Sequence, residues 1–380
     1  MKMHRCLILL AALTAVFSAH ADLASLFSNA APAVPLAQRP SIIVIQCHEL
    51  ARGDLSCYGQ TNFQTPNLDA LARAGIRFTD YNGGADSAAT TALLLGGKKS
   101  AFVSGQANLA QRLRQSGYRT GLIGEWGLPG KPWEQGFDEF AGFLQDAEGR
   151  DYFADGLWRY APNSILDPTN NQMQAYIGRE MIYPNTDGKK GKYLPELFVN
   201  AMNNFVRINQ PDTVNHFRPF FLLVNFPAPR SASAGADDFP VPTDAPFTGE
   251  AWLPTAKNRA ALITRLDAGI GRLFEQLDKS GLTNNCAVFF ASSSAPGKFK
   301  DARLNSFLPP EDFCATTNPT PRLPMIVKWP EKIPGGRVSG KKWTAADFAP
   351  TALAMASAKP ATNFTGTSIL PALLGKVEQP

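Results

Sequence analysis

Four apolar runs constrain the fold of this chain more than any other feature. "SIIVIQC" (41–47), "PFFLLVNF" (219–226), "CAVFFA" (286–291) and "PMIVKW" (324–329) are rich in β-branched and aromatic residues. Such a run is buried on both faces, and "SIIVIQC" is of the kind expected for a parallel strand covered by helices on each side. Helical segments lie between the runs: "TPNLDALARAG" (65–75), "ANLAQRLRQSG" (107–117), "LPELFVNAMNNFVRI" (194–208), about 256–279, and "ADFAPTALAMA" (346–356). In the first, Thr65 suits the N-cap, Pro66 the first helical position and Gly75 the stop. "IRFTDY" (76–81) and "YRTGLIG" (118–124) complete an alternation of strand and helix. The expected fold is α/β, a mostly parallel central sheet with helices on both faces. Ligands of such sheets bind beyond the carboxyl ends of the strands, so the residues just after each strand are the ones to inspect.

The N-terminus reads as an export signal over 1–21. Lys2 and Arg5 precede the apolar "CLILLAALTAVFSA", and "AHA" supplies small residues for cleavage. The apolar run is short for a membrane span, and no later stretch is long and charge-free enough to be one. An exported product, periplasmic or secreted, is expected. An Ala/Pro linker follows over 22–39, then one domain over 40–376, with a polar excursion from the sheet at about 146–192. Hydrophobic residues make up 44% and charged residues 18%, so disorder is confined to short pieces. The net charge of +5 is too mild to suggest nucleic acid. Lysines at Lys98-Lys99, "DGKKGK" and Lys341-Lys342 are either solvated loops or a preference for anionic ligands.

Cys47, Cys57, Cys286 and Cys314 remain after cleavage, and export permits disulfides among them. Only His48 and His216 remain of the histidines. That scarcity counts against catalytic zinc and against a histidine base.

The stretch "YNGGADSAATTALLLGG" (81–97) looks like a nucleophile segment: small residues, then Asp86-Ser87, then a helix start. Ser87 is either a nucleophile at a helix N-terminus, where an anion is held readily, or part of a small-residue turn that starts a helix against the sheet.

With these residues in place, the chain resembles the sulfatase family of the alkaline-phosphatase superfamily, from about Arg39 to Gly375. The segments that carry the likeness are "RPSIIVIQCHELARGDLSCYGQTNFQTPNLDALARAGIRFTDY", "GYRTGLIGEWGLPGKPWEQGFDEFAGFL", "RLDAGIGRLFEQLDKSGLTNNCAVFFASSS", "LPMIVKWPEKIPGGRVSG" and "FTGTSILPALLGK". The resemblance implies a calcium site, an activated nucleophile, and basic and imidazole groups around a sulfate. This sequence departs from the family at each of those positions. Where the family has paired aspartates after the first strand, it has His48 and Glu49. Where the family has Asp-Asn, it has Ser293 and Ser294. The formylglycine motif is reduced to Ser87-Ala88-Ala89-Thr90-Thr91, without its Pro and Arg. Lys-Trp-His becomes Glu125-Trp126-Gly127. The next family histidine aligns with Arg230, and a late lysine aligns near Phe313. A carboxylate at Glu125 facing sulfate at about 4 Å costs roughly 4 kcal/mol at an effective dielectric of about 20. The family's C-terminal subdomain is expected to be short or absent. The family fold also brings Cys47 near Cys314, which suggests a disulfide stapling the old cleft.

The resemblance therefore implies a sulfatase-like protein without sulfatase chemistry, with no cofactor, that binds an anionic glycan or a protein partner. A folded protein with no retained activity fits equally. The competing expectation is an active sulfuric or phosphoric ester hydrolase using unmodified Ser87, with His48 and Glu49 in an atypical calcium site.

Overall fold

The computed structural model describes residues 34–96, 106–167, 172–211, 218–232, 238–301, 303–304, 308 and 322–376. The expected signal, most of the linker, Lys98-Lys99, His216, Phe313 and Cys314 lie outside them. The chain divides at Pro35, and every element below belongs to the unit Leu36–Pro380.

Seven strands follow the apolar pattern read above or extend it: β1 (Ser41–Cys47), β2 (Ile76–Asn82), β3 (Arg119–Glu125), β4 (Glu139–Phe143), β7 (Phe220–Phe226), β8 (Cys286–Ser292) and β9 (Leu323–Lys328). A hairpin of β5 (Gly156–Asp167) and β6 (Gln172–Met181), with short β10 (Arg337–Ser339) and β11 (Trp343–Thr344), completes one eleven-stranded sheet. Its order is β10-β2-β9-β8-β1-β7-β3-β4-β5-β6, with β11 on β2. The interior run β8-β1-β7-β3-β4 is parallel throughout. β9 runs antiparallel between β8 and β2, and β5 and β6 are antiparallel at the far edge. The segment read as an excursion from the sheet thus contains two of its strands. Its side chains at the edge are mostly exposed, so the two-sided burial that betrays the interior strands is missing there.

Alternation sorts each buried strand between two apolar layers. Ile43, Ile45 and Cys47 of β1 join one layer with helices α1 (Pro66–Arg73), α4 (Leu194–Ile208) and α5 (Pro254–Lys279). Ile42 and Val44 join the other, with α2 (Ser87–Leu94), α3 (Leu109–Gln115), α6 (Phe348–Met355) and α7 (Leu370–Leu373). Among the described residues no helix is long and apolar enough to cross a membrane.

Two details of α1 differ from the sequence reading. Thr65 holds the N-cap position without capping with its side chain; its hydroxyl is taken by Ser56. Asp267 of α5 caps instead, accepting from Asn67 N at 3.2 Å and Leu68 N at 2.8 Å. Gly75 follows the helix because a Cβ there would lie 2.0 Å from Val327 O, a matter of close approach to β9.

Candidate functional site

The carboxyl ends of β1, β3, β7 and β8 meet at one cleft, and α2 starts against it. β1 ends at Cys47, and His48 N donates to Phe226 O and Ala228 O at 3.1 and 3.0 Å. Glu49 then turns left-handed at φ 58°. That turn is fixed from two sides. Glu49 N donates to Ser294 Oγ at 3.3 Å, and Glu49 O accepts from Arg259 Nη2 at 2.9 Å. Arg259 is itself buried on the Asp54 carboxylate, with Nη2–Oδ2 at 2.7 Å and Nε–Oδ1 at 3.2 Å, and lies 5.2 Å from the ring centroids of Phe239 and Phe299. Asp54 belongs to the "GDLSCYG" loop, so that loop acts as a brace behind the cleft.

β8 ends in three consecutive serines. Ser292 Oγ lies 3.1 Å from Cys47 O and accepts from Leu50 N at 3.2 Å. Ser293 N donates to Cys47 O at 2.8 Å. Ser87, first residue of α2, closes the cluster: its Oγ is 2.6 Å from Ser293 Oγ and 3.3 Å from Ser294 Oγ. Ser293 Oγ also donates to Cys47 O at 3.2 Å, which leaves Ser87 as donor in the shorter contact. The rest of the "DSAATT" stretch holds the helix start down. Thr90 Oγ1 donates to Ser293 O and accepts from Gly84 N, both at 2.6 Å. A Cβ on Gly83 would sit 2.7 Å from Thr90 Oγ1. Asp86 caps α2 by accepting from Ala89 N at 2.7 Å. The helix N-terminus, where an anion would be held, thus has the chain's own carboxylate on it.

Glu125 ends β3 and is 4% exposed. Gly124, at φ 99°, sets its direction; a Cβ at that position would lie 1.9 Å from Asn225 O. Glu125 Oε2 sits 3.7 Å from His48 Nδ1 and 3.6 Å from Arg230 Nη2. All three side chains are buried. Arg230 is delivered by the turn after β7, where Tyr152 OH donates to Pro227 O at 3.3 Å and to Arg230 O. Gly127 turns left-handed at φ 65° beside the Glu125 carboxylate. Burial raises the Glu49 carboxyl above its usual range, against the pull of Arg259, Arg230 and Arg150 and a hydrogen bond from Ser231 N.

The structure therefore gathers His48, Glu49, Ser87, Glu125, Gly127, Arg230, Ser293 and Ser294 at one place. The cleft holds about 650 Å³, and Glu49, Asp86, Ser87, Glu125, Arg150 and Arg230 line it. The sequence reading missed Arg150, the Asp86 cap, and the Asp54–Arg259 brace. Only Asp86 left a local signal, as an N-cap residue before a helix. Cys47 does not face this cleft. It is a free thiol turned into the helix layer with Ile43 and Ile45, and burial raises its pKa far above the ordinary value. Cys314, the partner expected for it in a disulfide, lies outside the described residues.

Among the described residues, Ser87 Oγ is hydrogen-bonded only to serine hydroxyls, and a hydroxyl cannot take its proton at neutral pH. A calcium ion of the kind the family resemblance implies needs several hard, mostly anionic oxygens. Ser293 and Ser294 are engaged with Ser87, Cys47 O and Glu49 N, and His48 faces Glu125. Among the described residues no three His, Cys, Asp or Glu side chains could hold a metal ion together. The donor set does not fit that ion.

The mixed sheet flanked by helices, with a cleft at the strand ends, is an alkaline-phosphatase-like α/β fold. The sulfatase family model matches residues 40–358, and the chain belongs to the sulfatase family. It is 25% identical to an N-acetylglucosamine-6-O-sulfatase of Bacteroides thetaiotaomicron, over 94% of this chain and 75% of that one. It superposes on the PsFucS1 sulfatase from Pseudoalteromonas sp. with a TM-score of 0.68 at 20% identity, covering 89% of this chain and 72% of that one. A third likeness is to a protein solved with its substrate D-glucosamine-2-N,6-O-disulfate, with a TM-score of 0.65 at 20% identity, covering 90% and 81%. The chain spans 66% to 75% of the length of the first curated relatives it matches.

Proposed function

We propose that this chain is an exported sulfatase-family protein that binds a sulfated or otherwise anionic saccharide in its strand-end cleft without hydrolysing it. One observation carries the reading: the nucleophile position, Ser87, is tied into a cluster of serine hydroxyls, while the Glu125 carboxylate occupies the space between His48 and Arg230. Hydrolysis needs a base or metal at the first place and positive charge at the second. A cleft of about 650 Å³ has room for one or two sugar units, and Arg150 and Arg230 line it. The relatives named for acting on 6-sulfated amino sugars supply the ligand class. Export rests on the leader at 1–21, and sequencing the N-terminus of the secreted product tests it.

The test of function uses 6-O-sulfo-N-acetylglucosamine. Sulfate release would be followed for wild type and Ser87→Ala, and binding by calorimetry for wild type and Arg150→Ala. The expected result is release at the background rate for both proteins, with binding weakened by Arg150→Ala. Turnover abolished by Ser87→Ala would replace this reading with a working ester hydrolase. Absence of both turnover and binding would remove the saccharide.

A further inference from the structure

Three of the seven large exposed apolar residues among those described lie on one strand. Met173, Ile177 and Met181 of β6 are 51%, 53% and 41% exposed. They are spaced four apart, so all three point to the same side of the sheet. Among the described residues β6 ends the sheet, and no further strand pairs with it. A ten-residue edge strand with an apolar stripe is a template for another strand unless something covers it. The devices that usually blunt such an edge are weak here: β6 has no proline or lysine, and it carries one Arg and one Glu.

The stripe continues inward. Ile177 is directly opposite Tyr160 of β5, and Tyr160 stacks on Trp133 at 5.4 Å with their planes 19° apart. Trp133, Tyr160 and Trp158 are half-buried at the margin of one core layer. An apolar band thus runs from that layer to the sheet edge and stops at Ile177.

We infer that β6 pairs antiparallel with β6 of a second copy, about a two-fold axis through Ile177. An isologous contact sets each residue against its mirror position. Centred on Ile177, that register puts Ile177 against Ile177, Met173 against Met181, Ala175 against Arg179, Gln174 against Glu180, and Tyr176 against Gly178. Every exposed apolar side chain meets another, and no charge meets its like. Moving the axis to Arg179 sets two arginines face to face. Moving it to Ala175 leaves Met181 opposite residue 169, beyond the strand. The self-complementary spacing of Met173, Ile177 and Met181 therefore selects both the partner, a second copy of this chain, and the register. The two eleven-stranded sheets become continuous, and the two Trp133–Tyr160–Ile177 bands meet at the axis.

The experiment combines mass in solution with a register-specific cross-link. Light scattering after size exclusion is expected to give a dimer for wild type and a monomer for Ile177→Lys, whose two ammonium groups would face each other at the axis. Ile177 is half exposed, so the variant keeps its circular dichroism. In Ile177→Cys the two thiols oppose each other, and mild oxidation gives a covalent dimer reversible by reductant. In Met173→Cys they sit eight residues apart along the pair, roughly 27 Å, and no such dimer forms. A monomeric wild type, a dimer indifferent to Ile177→Lys, or equal cross-linking by both cysteine variants would each overturn the inference.

Discussion

Glu49 is a residue of the cleft whose titration should be visible in stability. Burial raises its carboxyl above the ordinary value of about 4.3. An acid whose pKa is raised by folding holds its proton more tightly in the folded chain. Its contribution to stability is complete below the ordinary value and is lost as pH rises through the raised one. Glu49→Gln removes that loss. The variant's advantage in urea unfolding should be small at acid pH, grow as pH rises, and level off once Glu49 is ionised. An advantage that does not change with pH would contradict the burial argument. Glu125 tests the charge of the cleft instead. Its carboxylate faces the two cationic candidates, His48 and Arg230, from 3.7 and 3.6 Å. Glu125→Gln keeps the shape and removes the negative charge, so 6-O-sulfo-N-acetylglucosamine should bind more tightly. Stability should fall at the same time, by an amount approaching the roughly 3–5 kcal/mol of a broken buried pair. Unchanged affinity would mean that the carboxylate does not oppose the anion.

At the scale of elements, the Asp54–Arg259 pair joins the loop after β1 to α5, and its two partners are 2% and 6% exposed. Arg259→Met leaves a buried carboxylate without its cation and releases Glu49 O and Pro229 O from their donor. A loss of about 3–5 kcal/mol in urea unfolding is expected, and a loss under 1 kcal/mol would mean that water replaces the guanidinium. β4 gives a steric counterpart, since a Cβ on Gly142 would lie 1.8 Å from Gly124 O. Gly142→Ala should cost at least the roughly 1–3 kcal/mol of an overpacked core and displace Glu125, which follows Gly124. Neither feature could be read locally. β1, β7, β8 and α4 were legible because two-sided burial and a helical apolar stripe write themselves into consecutive residues. The β5–β6 hairpin was not, because β6 is mostly exposed and lacks the continuous apolar run of a strand buried on both faces. Asp267 as the cap of α1 was hidden for another reason: donor and acceptor are about 200 residues apart in the chain. The site was legible in position, since strand ends and family segments pointed to His48, Glu49, Ser87, Glu125, Gly127, Arg230, Ser293 and Ser294. It was not legible in its bonding. That Ser87 and Ser293 hydroxyls face each other depends on how α2 is pressed against β8 by Gly83, Gly84 and Thr90.

For the whole molecule, the sheet and its helix layers are those of the sulfatase family, and the strand ends carry hydroxyls and paired charges. The two levels make separable predictions about calcium. In a protein that binds calcium only when folded, the ion stabilises by RT ln(1 + [L]/Kd), about 2.7 kcal/mol at a hundredfold excess over Kd. A gain of that size moves a melting point by several degrees. Here the second strand-end pair is Ser293 and Ser294, whose hydroxyls are engaged with Ser87, Cys47 O and Glu49 N. Binding an ion there would require breaking those contacts, beside a Glu49 whose charged form burial disfavours. The melting point should therefore be the same after chelator treatment and in millimolar calcium. The same scan on Glu49→Gln separates the outcomes. A rise with calcium that disappears in this variant would place a cation at the end of β1 and restore a metal-assisted reading of the cleft. A rise that survives it would locate the ion elsewhere and leave the strand-end site without metal chemistry.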